Sequence, residues 1–107
     1  MQEATYLILT ALAEGSQHGY GIISDITEIS GGRVLLRPGI LYTTLDRLKT
    51  DGLVVVDREE IVENRLRRYY RLIPGGREWL AAEAARPHAT ATAAMRRLRP
   101  RLAGGLA

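Results

Sequence analysis

The sequence predicts an α+β fold, mainly helical with one β-hairpin, on three observations. Leu41, Leu45 and Leu48 recur at i, i+4 and i+7, a narrow apolar stripe on a helix that opens at Pro38 and stops at Gly52. Residues 53–58 and 65–72 then pair as a hairpin, with residues 59–64 as its tip. Two further segments with helical apolar spacing precede them, around Leu7 and around Ile22. A short helix running straight into a basic ribbon is the working end of a winged helix-turn-helix. In that arrangement the helix fits the major groove of DNA, and the ribbon (the wing) reaches the flanking backbone or minor groove.

Each element has its own local reason. Residues 2–13 carry Tyr6, Leu7, Ile8, Leu9, Ala11 and Leu12, the content of a largely buried helix, and Gly15 is a natural C-terminal cap. A second helix begins near Gln17-His18-Gly19-Tyr20, runs through Ile22, Ile23, Ile26 and Ile29, and ends at Ser30-Gly31-Gly32. Residues 33–37 form an extended link, and Pro38 suits the first turn of the third helix, where its missing N–H costs nothing. In the return strand Leu66, Arg68, Tyr70 and Leu72 share one face, while Arg67, Tyr69 and Arg71 share the other. Tyr70 and Leu72 are expected in the core. Pro74-Gly75-Gly76 opens another helix through Trp79, Leu80 and Ala84, and Pro87 kinks or breaks it. Beyond it, Ala91, Met95, Leu98 and Leu102 recur at spacings of four and three, an apolar stripe with nothing of its own to cover it. Such a stripe needs a partner, most simply the same helix of a second subunit. The expected division is a DNA-binding winged helix-turn-helix over residues 1–74 and a C-terminal dimerisation segment over 75–107.

At 107 residues the chain makes one globular unit, with 46% hydrophobic and 25% charged residues. It has no cysteine, which excludes disulfides, thiolate metal sites and cysteine nucleophiles. The start lacks a basic stretch followed by an apolar run, and no apolar run approaches a membrane span, so a cytoplasmic protein is expected. The net charge of +3 is modest. No nucleophile elbow, Gly-rich phosphate loop with its lysine, His-Asp-Ser set or zinc-ligand pair is present, so neither enzyme activity nor a cofactor is expected.

Three motifs resemble one family. They are His18-Gly19-Tyr20-Gly21-Ile22, then residues 39–48 (Gly-Ile-Leu-Tyr-Thr-Thr-Leu-Asp-Arg-Leu) with Gly52-Leu53, and Arg67-Arg68-Tyr69-Tyr70-Arg71-Leu72 with Gly76-Arg77. In this order and spacing the chain resembles the short form of PadR-type transcriptional regulators, over roughly residues 5–86. The resemblance implies a homodimeric winged-helix repressor on a palindromic double-stranded operator, often released by a small molecule. It also has a departure. Pro87 falls where some relatives carry a C-terminal-helix tryptophan lining a drug-binding cavity, and Trp79, two turns earlier, is not its equivalent.

Candidate DNA contacts follow from position. Thr43, Thr44 and Arg47 lie away from the leucine stripe; threonine can meet the thymine methyl group and arginine the O6 and N7 of guanine. Tyr42 can touch a phosphate or pack against the first helix; the resemblance points to DNA. Arg65, Arg67 and Arg68 can make the wing's phosphate or minor-groove contacts, with pairing to Glu59, Glu60 and Glu63 as the alternative. Tyr69, opposite in face to Tyr70, can reach toward the backbone. His18 stands at a helix start, where backbone N–H groups favour a phosphate. Tyr20 is read as either a phosphate contact or an anchor of its helix on the hairpin, with the anchor preferred. Arg96, Arg97, Arg99 and Arg101 are read as a solvated helix face. The competing function is a winged-helix protein-interaction module without DNA binding.

Overall fold

The structure, a computed structural model, describes residues 3–86 together with Ala94, Arg97 and Leu98. Its elements are α1 (Glu3–Ala11), β1 (Gln17–His18), α2 (Gly19–Ile29), α3 (Pro38–Thr50), β2 (Val54–Val62), β3 (Arg65–Leu72) and α4 (Pro74–Ala85). The strands form one antiparallel sheet in the order β1-β3-β2. The α+β winged-helix fold expected from the sequence is therefore present.

The core explains why α3 sits where it does. Leu41, Leu45 and Leu48 are buried against Leu7, Ile8, Leu9 and Leu12 of the α1 region, Ile22 and Ile26 of α2, and Val54, Tyr70 and Leu72 of the sheet. Both helices that flank the α2–α3 link end in the same device. Gly31 and Gly32 have φ of 65° and 83°, and their N–H groups donate to Glu28 and Thr27 carbonyls. Gly52 has φ of 76°; its N–H donates to the Lys49 carbonyl, and that of Leu53 to Leu48. These paired bonds satisfy carbonyls that a helix end leaves open, and they need a residue that tolerates left-handed backbone.

Four boundaries differ from expectation. Helix α1 ends at Ala11, and its carbonyl there accepts a 2.7 Å bond from Gln17 Nε2, so a distant amide caps it rather than Gly15. Gln17 and His18 are not helical. They pair with Tyr70 and Tyr69 as a short third strand, and α2 starts only at Gly19. The hairpin is also longer: β2 runs to Val62, and the turn is the two residues Glu63 and Asn64, with φ of 50° and 67°. Two central residues at positive φ are what the right-handed strand twist asks of a two-residue loop. Finally, the register slips at Asp57, which has no partner between Val56↔Tyr70 and Arg58↔Tyr69. That bulge swaps the faces of β2 beyond it.

Helix α4 starts against the α3–β2 corner. A Cβ on Gly75 would lie 2.7 Å from the Gly52 carbonyl oxygen, and one on Gly76 would run into the Leu53 carbonyl. Glycine at both places lets the helix approach, and Trp79 and Leu80 then pack on the core. The helix ends at Ala85, and Arg86 is extended (ψ 137°), as the residue before a proline prefers. The pattern is thus broken before Pro87 rather than carried through it. Among the described residues no helix is long and apolar enough to cross a membrane.

Candidate nucleic-acid interface

The wing, α3 and the start of α2 enclose a groove. One wall is His18, Gly19 and Tyr20, and Tyr42 enters from α3. The far wall is Val62, Glu63, Arg65, Leu66, Arg67 and Arg68 of the wing. Most of the expected contact residues are therefore brought to one place, although they come from four elements. A second concavity follows the first turns of α3, lined by Arg37, Gly39, Ile40, Thr43 and Thr44. Gly39 and Ile40 belong to a resemblance motif but were not among the expected contacts; the 52% exposure of Ile40 beside exposed Thr43 could have been inferred from their place off the leucine stripe.

Tyr42 packs on α2. Its hydroxyl lies where a Cβ of Gly19 would be, so the glycine supplies the room for the phenol. Burial, followed by the neighbouring Tyr70 and Tyr20, raises the Tyr42 pKa above its ordinary value. The phenol therefore stays protonated at neutral pH and can donate a hydrogen bond to an anionic oxygen. Tyr20 is 67% exposed and anchors nothing, which overturns the preferred anchor reading. The sheet explains why: with β1 paired to β3, the backbone of Gln17 and His18 already fastens the start of α2 to the hairpin.

His18 and Tyr69 face each other across that strand pair, with ring centroids 5.4 Å apart at 60°. The Arg58 guanidinium lies 4.0 Å from the centroid of the same Tyr69 ring, a cation–π contact. Tyr69 is thus half-buried among its neighbours instead of extending freely. Burial, and then the charge of Arg67, lowers the His18 pKa, so the imidazole is neutral at pH 7.

The wing's acids are largely paired. Arg68 Nε meets Glu59 Oε2 at 2.9 Å, and Arg58 Nε meets Glu60 Oε1 at 2.8 Å. Asp57, at the bulge, accepts from Ser16 Oγ at 2.9 Å and from Arg58 and Arg71 at 3.0 Å each. Among the described residues Arg65 and Arg67 have no ion pair within 4.0 Å. Pairing of Arg68 matches the alternative raised from the sequence; Arg65 and Arg67 do not show that pairing among the described residues. Arg47 is also engaged: its guanidinium donates a 2.7 Å bond to Thr5 Oγ1 of α1, so the side chain leans to the flank of α3 while remaining exposed. No one-dimensional pattern shows that contact, which joins residues 42 positions apart.

The Asp57 cluster has a pH consequence. The Ser16 hydroxyl, with Arg58 and Arg71, holds the Asp57 carboxyl below the usual range, and Arg58 does the same for Glu60. A depressed folded pKa means stability that is complete above the unfolded value, about 3.9 for Asp, and lost as pH falls through the folded value. Asp57→Asn is expected to flatten the fall of the thermal midpoint below about pH 4. An acid limb unchanged by the substitution contradicts the assignment.

Of the expected dimer residues, Leu98 is described, helical and 54% exposed; Ala91, Met95 and Leu102 lie outside the described residues. Among the described residues no three His, Cys, Asp or Glu side chains are grouped to hold a metal ion.

Comparison with known proteins places this geometry in context. The profile of the transcriptional regulator PadR-like family matches residues 8–82. The chain is 40% identical over 76 residues to transcriptional regulator Rv3488 of Mycobacterium tuberculosis, covering 71% of this chain and 67% of that protein. It is 43% identical over 82 residues to a 37.1 kDa protein in transposon TN4556 of Streptomyces fradiae, covering 77% of this chain but 22% of that protein. Among solved structures, Bacillus subtilis PadR in complex with operator DNA superimposes with a TM-score of 0.73 at 25% identity. That match covers 81% of this chain and 49% of that one. A PadR family regulator from Clostridium difficile covers 99% of this chain and is itself covered over 100%, with a TM-score of 0.64; at 18% identity it speaks for the fold alone.

Proposed function

The chain belongs to the PadR-like family of transcriptional regulators, and on that premise we propose that it is a repressor that binds a pseudo-palindromic DNA operator as a homodimer. Two copies of α3 enter successive major grooves, and each wing lies on the adjoining flank. Repression follows by blocking polymerase in the cytoplasm. The observation that carries the reading is the groove itself: Arg65 and Arg67, without ion pairs among the described residues, stand across from the α2 start and Tyr42. The solved complex of Bacillus subtilis PadR with operator DNA supports it.

Within this reading the contacts divide by chemistry. His18, Tyr20, Tyr42, Tyr69, Arg65, Arg67 and Arg68 hold the backbone, and Thr43, Thr44 and Arg47 meet base edges. The bond from Arg47 to Thr5 holds the guanidinium at the flank of α3. Selection of bound duplexes from a random pool tests the proposal, and an enriched sequence with two-fold symmetry is expected. On that sequence Arg47→Ala should weaken binding by about 1–3 kcal/mol and relax preference at one base position. Equal loss on random DNA makes Arg47 a phosphate contact, and no loss on either removes it from the interface.

Ala91, Met95, Leu98 and Leu102 form the proposed dimer seam in the 75–107 segment. The support is the apolar spacing and the exposure of Leu98. Truncation after Arg86 is expected to give a monomeric or poorly soluble chain. Sedimentation of the truncated protein as a dimer places the seam elsewhere.

A further inference from the structure

The end of the wing carries an aliphatic pair that the fold does not use. Ile61 and Leu66 stand directly opposite each other in the β2–β3 register, one pair short of the Glu63-Asn64 turn. They are 77% and 61% exposed, respectively. Single exposed leucines are ordinary, but two aliphatic side chains in cross-strand contact at a ribbon tip form a patch.

The surroundings identify what covers it. Leu66 shares a face of β3 with Arg68 and the buried Tyr70, and both Leu66 and Arg68 line the groove that Tyr42 enters. Leu66 thus borders the groove, and Ile61 stands beside it on the neighbouring strand. Arg65 and Arg67 adjoin Leu66 in sequence and have no ion pair among the described residues, while Glu59 and Glu60 are neutralised by Arg68 and Arg58. The complementary surface sets an apolar strip beside anionic groups. The DNA minor groove has that construction: deoxyribose walls between two phosphate rails, about 6 Å apart and thus wide enough for side chains though not for a helix.

We propose that Ile61 and Leu66 are an apolar wedge that packs on the sugar walls of the minor groove beside the site read by α3, with Arg65 and Arg67 on the bordering phosphates. This rests on the DNA-binding reading above and adds a contact that is not ionic. Apolar burial releases no counterions, so its loss lowers affinity without altering salt dependence, the opposite signature from loss of an arginine. A wedge that enters the groove also meets the guanine N2 amino group on its floor, so it favours A·T flanks over G·C flanks.

The test uses the full chain and the Ile61→Thr/Leu66→Thr variant, which keeps strand-forming residues on an exposed surface and is checked for folding by circular dichroism. Each is titrated over a salt series on one selected duplex with A·T, G·C or inosine·C flanks; inosine removes the minor-groove amino group and leaves the major groove as in guanine. The wild type is expected to bind A·T and inosine·C flanks alike and G·C flanks more weakly. The variant should bind A·T flanks about tenfold more weakly, with an unchanged salt slope and no flank preference. A variant that binds like the wild type overturns the wedge and leaves the DNA reading in place. So does a variant that binds DNA normally but sediments as a smaller species, which makes the pair a protein contact. A wild type that holds no duplex at low salt overturns the DNA reading and the wedge together.

Discussion

Leu45→Ala is expected to destabilise the domain by about 2–5 kcal/mol, because the side chain is fully buried in the middle of the α3 stripe and its removal leaves a cavity. Leu41 and Leu48 sit on the same stripe, one turn to either side, and are buried just as deeply, so little can move in to fill the space. A single domain has only about 5–15 kcal/mol to lose. The urea midpoint should fall with little change in slope, and DNA binding should fall with the folded fraction. Thr43→Ala, on the exposed side of the same helix, should stay within about 0.5 kcal/mol of the wild type in stability. A Leu45→Ala protein with an unchanged midpoint means that α3 is not held by this stripe.

Neutralising Arg65, Arg67 and Arg68 together should produce the largest loss of affinity, and the same loss on operator and random DNA. Backbone contacts position a protein without carrying a base code. Each phosphate contact contributes about 0.9 to the log–log salt slope, which at 0.1 M salt amounts to roughly eightfold in affinity. Arg65 and Arg67 should each count in full, giving roughly a fiftyfold loss and a slope change of about two units. Arg68 already spends its charge on Glu59 at 2.9 Å, so it should add less than a full unit. If instead all three serve the hairpin, the folded variant loses thermal stability while its slope stays as in the wild type. That outcome moves the interaction-module reading ahead.

What could be read from the sequence was whatever a periodic pattern or a glycine encodes. The i, i+4, i+7 leucines located α3, Gly52 its end, and the alternation about Tyr70 and Leu72 the buried face of β3. Less legible were features that depend on the partner strand. The turn is Glu63-Asn64, with no glycine to mark it, and the bulge at Asp57 adds a residue without a signature of its own. β1 is two residues long, too short for any period, and exists only because β3 is beside it. The candidate groove was readable as a set of residues but not as an arrangement. Tyr42 on Gly19, Arg47 on Thr5 and Arg68 on Glu59 are tertiary contacts, and they determine which side chains remain available to a ligand.

The central claim is that the groove between α3 and the wing takes double-stranded DNA. Its most direct test is binding of the wild-type chain to random-sequence duplex across a salt series. The account predicts measurable binding at low salt that weakens linearly in log K against log salt, with a slope of several units. No binding at low salt, or binding indifferent to salt, contradicts it.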